Sequence, residues 1–295
     1  MADNLNKNKT GVADEAVPTT SIHIRRAVAY VVLVLVTLMC LFWFLILFIN
    51  ATRSNGELGR GFTLIPGGHL TENLNNLFHG TIPVVRGMIN SLVIATLSAA
   101  LCTYFSTMTA YAIQIYDFPG KKMVFTFILA IMMIPTQVTA LGFVNLVSGM
   151  KMEDNYFPLI ALSIASPAVF FYMKQYMESN LPGSLIEAAR IDGAGEFRIF
   201  NTIAIPLMKP AIAVQAIFTF VASWNNYFVP SLILHNDNMK TLPIQIAQLR
   251  AADWLKFDMG QVYAMIAFSI FPVIIVYLIL SRNIVGGLTA GGVKE

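Results

Sequence analysis

Six stretches of this chain run for 19 or more residues without an Asp, Glu, Lys or Arg: 27–52, 87–116, 123–150, 155–173, 210–236 and 259–281. A helix rises about 1.5 Å per residue and a bilayer's hydrocarbon core is about 30 Å thick, so roughly 20 apolar residues span it. Inside lipid the backbone must satisfy its own polar groups, which makes helices the economical solution for such windows. Only 12% of the 295 residues are charged and 56% are hydrophobic. A soluble domain carries about 25% charged residues. The chain therefore reads as an all-α polytopic membrane protein with spans at about 27–49, 88–113, 123–147, 156–176, 210–234 and 260–281. The fourth window is the shortest.

Around these spans lie a polar leader, 1–26, and a short tail, 282–295, flanking a six-helix transmembrane domain at 27–281. The leader ends in Arg25 and Arg26. The apolar run that follows is too long for a signal-peptide core, and no A-x-A site follows it, so it reads as an uncleaved anchor. With the N-terminus in the cytoplasm, six spans return the C-terminus there. Under that topology 12 of the 19 Lys and Arg residues fall on the cytoplasmic side and 7 outside. The excess has the expected sign, and the tight loop holding Lys121 and Lys122 carries it best.

The composition also excludes several functions. A net charge of +3, scattered along the chain, offers no nucleic-acid surface. Cys40 and Cys102 sit in apolar stretches and read as small apolar core residues rather than a disulfide framework. No span carries an acidic or basic side chain in its middle, and His23, His69, His79 and His235 all lie in the flanks. Proton-coupled carriers usually hold such groups at membrane depth. No acid, base or metal constellation is available for catalysis, so no metal or cofactor is expected on this chain. The glycine-rich end, Gly286 to Lys294, lacks the Gly-Lys-Ser/Thr of a phosphate loop. Any use of ATP and magnesium must then fall to a partner. Prolines at 135, 158, 167, 210, 230 and 272 lie in or beside the spans and can kink them.

The longest cytoplasmic connection, 177–209, is locally well specified. Ser184 and Glu187 have the spacing of a capping box, and Gly193 stands where a left-handed residue ends a helix. A second helical stretch holds Phe197, Phe200, Ile203 and Ile205 until Pro206 breaks it. The small side chains of Ala188 and Ala189 let another surface approach closely.

Glu187-Ala188-Ala189, then Gly193, then Ile203, Ile205 and Pro206 at fixed offsets resemble the EAA loop of bacterial ABC-importer permeases. Ile205 stands where that family usually has Leu. Further matches run from about residue 70 to 294 and resemble the carbohydrate branch, its maltose-type second permease subunit. They are Asn90-Ser91, Phe118-Pro119-Gly120-Lys121, Trp224-Asn225-Asn226, Thr241-Leu242-Pro243 and the ending Gly287 to Lys294. The leader and residues 50–69 carry no comparable match. The resemblance implies a type I importer permease architecture in the bacterial cytoplasmic (inner or cell) membrane. It implies a heterodimer with a second permease subunit, two ATP-binding subunits and an extracytoplasmic sugar-binding protein, with lipid around the bundle.

For the loop, the resemblance implies ATPase coupling by Ser184, Glu187, Ala188, Ala189, Asp192, Gly193, Ala194, Ile203 and Pro206. For the tail it implies ATPase contact by Gly287, Thr289, Ala290, Gly291 and Lys294, against a frayed end. Trp224, Asn225, Asn226, Tyr227 and Gln137 are candidates for a substrate path. Amides and aromatics also bond between transmembrane helices, and packing is the leading account of them. Outside, 70–78 reads as an interfacial helix. A non-transporting scaffold subunit and a secondary sugar carrier are the competing functions.

Overall fold

A computed structural model describes residues 19–251 and 258–291 of the chain, with side chains described for 24–251 and 258–283. Among the described residues every regular element is helical: α1 Thr19–Ala51, α2 Asn55–Gly59, α3 Leu70–His79, α4 Val84–Ile115, α5 Lys121–Ile131, α6 Thr136–Gly149, α7 Phe157–Ile164, α8 Pro167–Asn180, α9 Gly183–Ile191, α10 Glu196–Ile199, α11 Ile205–Trp224, α12 Phe228–Ile233, α13 Leu242–Ala251 and α14 Met259–Gly291. Five helical runs are long and apolar enough to cross a bilayer, and α5 with α6 makes a sixth if that bent pair is one span.

Two compact units divide the chain, 1–48 and 49–295. In the first, α1 is apolar on every side, with Leu33, Leu38 and Trp43 all exposed. A helix apolar all round needs an apolar surround, as a membrane span has. Cys40 is exposed on this helix, so it is not the core residue expected from its apolar neighbours; Cys102 is buried.

The second unit is organised on α4, which packs against α7, α8 and α11, while α11 also packs against α14. The middle of the buried side of α4 is rich in small and hydroxyl residues: Ser91, Ala95, Ser98, Ala99, Cys102, Thr103, Ser106, Thr107 and Ala110. Lipid tails are as apolar as Leu, so membrane helices gain little by hiding apolar surface from each other. They associate through close packing, which small side chains permit. Thr103 and Thr107 return their hydroxyls to the carbonyls of Ala99 and Thr103, and thus bury no unmet donor.

Three of the expected spans are not single straight helices. The window 123–147 is broken into α5 and α6, which meet at 97°. Pro135 has extended backbone, φ −60° and ψ 134°, and precedes the first residue of α6. Proline lacks a donor and pushes the residue before it away from helical backbone, so the helix stops before it and restarts after it. The fifth window ends at Trp224, and only a short helix, α12, resumes at Phe228. In the fourth, a break at Ala165–Ser166 separates α7 from α8, where Ser166 Oγ accepts from Val169 N at 3.4 Å.

Pro206 does not end a helix as expected. A π-turn, Phe200–Ala204, joins α10 to α11, so helix runs from Glu196 to Trp224. The wider π ring, closed by Ile205 N to Phe200 O, lets the run pass the proline without an α-type bond to it. At the other end, α14 continues past 281 to Gly291.

Residues 234–242 are held from both sides. Asn90 Nδ2 donates to the carbonyls of Asn238 (2.9 Å) and Lys240 (3.0 Å), and Leu242 N donates to Ser91 Oγ (2.8 Å). Asp154 Oδ1 accepts from the backbone of His235 and Asn236 at 2.6 and 2.8 Å. Nearby, buried Gln245 donates to Pro83 O at 3.1 Å, directly over Gly87. A Cβ on Gly87 collides with the Gln245 side chain. Gly87→Ala therefore should lower stability by about 1–3 kcal/mol, the usual cost of overpacking. Thermal unfolding in detergent checks this, and Gly87→Ala with Gln245→Ser should recover part of the loss.

Candidate functional site

Helix α9 begins at Gly183 with Pro182 as its N-cap and no side-chain cap. The capping box expected from Ser184 and Glu187 does not form. The helix starts two residues earlier than that box requires, which puts Ser184 inside the first turn. Gly193 does take the left-handed conformation, φ +77°. Its N–H donates to Arg190 O, and Ala194 N–H donates to Ala189 O, each at 3.0 Å. This pair of bonds is the Schellman stop, which only a residue free of a Cβ adopts without strain.

The loop residues divide by face. Ile186 and Ala189 are buried in a core with Tyr111, Met177, Ile199, Phe200 and Met208, and Ala194 and Ile203 pack against it. Ser184, Glu187, Ala188, Asp192, Gly193 and Pro206 are exposed. Only one of the two central alanines, Ala188, thus offers a surface to another molecule, because Ala189 seats the helix on the bundle. Exposed apolar residues also stand on the same loop without having been candidates for coupling, among them Leu185 at 44%, Ile191 at 86% and Phe197 at 70%. Their signal was present as apolar side chains in a connection between spans.

A second feature lies where two helix breaks meet. A cleft of about 560 Å³ is lined by Thr136, Gln137 and Thr139 at the start of α6 and by Asn226 and Phe228 beyond the end of α11. Asn226 also lines an adjoining cavity of about 220 Å³, with Ser91, Ser163, Ser223 and Thr241. The lining of both is hydroxyl, amide and apolar, without a charged side chain. Of the path candidates, Gln137 and Asn226 come together here. Trp224 is buried instead, stacked on Phe220 at 5.8 Å and 17°, and lines neither cavity. Asn225 and Tyr227 are exposed outside both linings.

For the tail candidates, Gly287, Thr289, Ala290 and Gly291 have helical backbone in α14, and their side chains lie outside the described residues, as does Lys294. Among the described residues no group of His, Cys, Asp or Glu is placed to hold a metal ion.

Residues 103–289 match the family described as binding-protein-dependent transport system inner membrane component. The chain belongs to this family. It is similar to the arabinooligosaccharides transport system permease protein AraQ of Bacillus subtilis (strain 168), 35% identical over 266 residues, 88% of this chain and 92% of that protein. It is also similar to the sn-glycerol-3-phosphate transport system permease protein UgpE of Yersinia pestis bv. Antiqua (strain Antiqua), 30% identical over 265 residues, 88% of this chain and 94% of that one. The fold is shared with a chain in the crystal structure of a bacterial ABC transporter involved in the import of the acidic polysaccharide alginate. There the TM-score is 0.74 at 24% identity, over 89% of this chain and 97% of that chain.

As a member of this transport family, the chain is an inner-membrane component, and its matched region holds both α9 and the two helix breaks. The region before residue 103, including α1, lies outside the family match. Water access to the cleft is directly measurable. With Cys40 and Cys102 replaced by Ser, Gln137→Cys and Asn226→Cys should react with a charged, water-soluble thiol reagent in membranes. Trp224→Cys should stay protected.

Proposed function

We propose that this chain forms half of the translocation path of an ATP-driven importer of neutral oligosaccharides. The observation that carries the reading is the exposed face of α9, with Glu187, Ala188 and Ile191 presented beside the rigid Gly193 stop. Nothing in the described spans supplies a driving force, so work must enter from a partner through an exposed, well-fixed surface. In this reading α9 seats in an ATP-binding subunit, one of two that hold the ATP and magnesium. Closure of that pair then moves the bundle through Ile186 and Ala189, which are packed in its core. The N- and C-termini lie on the same, cytoplasmic side, and a sugar-binding protein delivers cargo on the other. The α14 end, through Gly287 to Lys294, touches the ATPase pair.

The break between α5 and α6 supports the path and the second permease subunit. Thr136, Gln137 and Thr139 are exposed at a 97° interruption of an otherwise apolar segment. Unpaired backbone and amide groups at membrane depth are tolerated only against protein or water. A second permease closing a watery channel over this face satisfies them, where lipid cannot.

The cargo assignment follows from charge. Similar proteins carry names for arabinooligosaccharide and for sn-glycerol-3-phosphate transport. A phosphate ester moving through a low-dielectric passage needs cationic partners. The cleft here offers Thr136, Gln137, Thr139 and Asn226, which suit hydroxyl groups, and no Lys or Arg. A neutral polyhydroxylated cargo fits this lining better.

Two measurements test the reading. Gly193→Val and Glu187→Lys should each abolish uptake in cells while the protein still inserts at normal levels; full uptake by both sinks the coupling role. Uptake of labelled arabinooligosaccharide should be competed by unlabelled oligosaccharide and not by glycerol 3-phosphate. The reverse pattern overturns the cargo.

A further inference from the structure

One carboxylate ties together three elements that the coupling reading needs to move as a unit. Glu196 is the first residue of α10 and hence of the helical run to Trp224. Its Oε1 accepts from Arg190 Nε, on the last turn of α9, at 2.6 Å. Its Oε2 accepts from Tyr116 Oη at 2.6 Å and from Tyr111 Oη at 3.3 Å, both at the end of α4. The Arg190 guanidinium also lies over the Tyr116 ring, 5.6 Å from its centre. Both oxygens of Glu196 are therefore engaged, and the contacts reach α9, α10 and α4.

The chain between α9 and α10 is short and holds two glycines. Only Asp192 to Gly195 connect them, with Gly193 in the left-handed region and Gly195 as the N-cap of α10. A Cβ at either glycine meets nothing within 4 Å, so the link is held by the two bonds of the Gly193 stop and by Ala194 against the core. The Arg190–Glu196 pair spans the link from outside. It is not there mainly for stability: both side chains are about two-fifths exposed, and ion pairs so placed add little. What such a pair does provide is a fixed angle. A phenol keeps its proton at physiological pH, and burial, then the bond to Glu196, pushes Tyr116 further up. A further contact runs beside it, Tyr104 Oη donating to Asn201 Oδ1 at 3.2 Å across α4 and the π-turn.

We propose that Glu196 is a positioning residue for energy coupling: by clamping Arg190, Tyr111 and Tyr116 it fixes the angle of α9, so that a push on α9 is carried into α4 and the 196–224 run. The proposal rests on α9 being the coupling helix. It requires that loss of the carboxylate leave α9 seated by Ile186 and Ala189 but free to tilt about the glycine link.

The test uses the whole importer, assembled with its second permease and ATPase subunits and reconstituted in liposomes with its binding protein. Glu196→Ala, Arg190→Gln and the double variant are compared with the parent for thermal unfolding and for labelled arabinooligosaccharide delivered per ATP hydrolysed. The expected result is an unchanged unfolding temperature and about a tenfold drop in cargo per ATP, the size of a typical coupling energy. The double variant should be no worse than Glu196→Ala, since that change already removes every bond of the clamp. Spin labels at Leu185→Cys and Thr109→Cys, in a Cys40→Ser, Cys102→Ser background, give a readout independent of cargo. One narrow separation in the parent, with and without ATP and magnesium, should broaden in Glu196→Ala.

A parent-like separation and a parent-like cargo-to-ATP ratio in Glu196→Ala overturn the clamp. So does a loss of transport that tracks a fall in unfolding temperature. If Glu196→Ala does not assemble, Tyr116→Phe and Arg190→Gln decide by the same criteria. Gly193→Val run alongside separates the two readings. A defect there without one in Glu196→Ala removes the clamp and leaves α9 as the coupling helix, and no defect in either removes both.

Discussion

A backbone amide inside a bilayer has no water to bond, so every interruption of a transmembrane helix must be met by protein or by a watery channel. The rest of this structure is arranged around that constraint. The chain interrupts its spans at Met132–Pro135, Ala165–Ser166 and Asn225–Tyr227. The first and third meet at one cleft lined by Gln137 and Asn226. Ser166, at the second break, caps α8 with its own hydroxyl. Where a helix must pass proline without opening, as at Pro206, a π-turn absorbs the misfit and the run continues.

Rigidity and freedom are divided between two parts of the unit formed by residues 49–295. In one, Asn90, Ser91 and Asp154 fasten the 234–242 segment with bonds to its backbone, holding it irrespective of its side chains. In the other, α9 rests on two small or branched apolar residues, Ile186 and Ala189, and is joined onward through a glycine link. A helix seated on so small a patch is easily tilted unless something outside its core resists. The Glu196 carboxylate stands where such resistance has the longest reach, between the end of α4 and the start of the run to Trp224. Motions that open and close a path turn on a few loop or element-terminal residues, and residues 192–195 are such a link between α9 and α10.

The dinucleotide Asn90-Ser91 and the stretch Thr241-Leu242 carried the sequence resemblance separately, 150 residues apart. They turn out to be one structural device, because the Ser91 hydroxyl accepts the Leu242 amide and Asn90 spans two carbonyls just before it. Trp224 and Asn226 show the opposite case. They are neighbours in one motif, yet Trp224 stacks into the core and Asn226 opens onto both cavities. Two residues apart on a helix face different ways, and the helix end at Trp224 turns the chain between them.

By itself the sequence determined the membrane class, the six apolar segments and the place of the helix stop at Gly193. Charge-free length and glycine placement are local properties, and the left-handed Gly193 follows from them alone. Tertiary structure decided what local pattern leaves open. The break at Pro135 was visible as a proline, but its 97° angle depends on packing that also positions α12. Which of Ala188 and Ala189 is buried depends on the bundle beneath α9, and Ser184 lost its cap because the helix started at Gly183. The joining of Arg190, Glu196, Tyr111 and Tyr116 was out of reach of any local reading, since α4 and α10 are some 80 residues apart along the chain. A carboxylate finds partners by proximity in space, and only the fold supplies that.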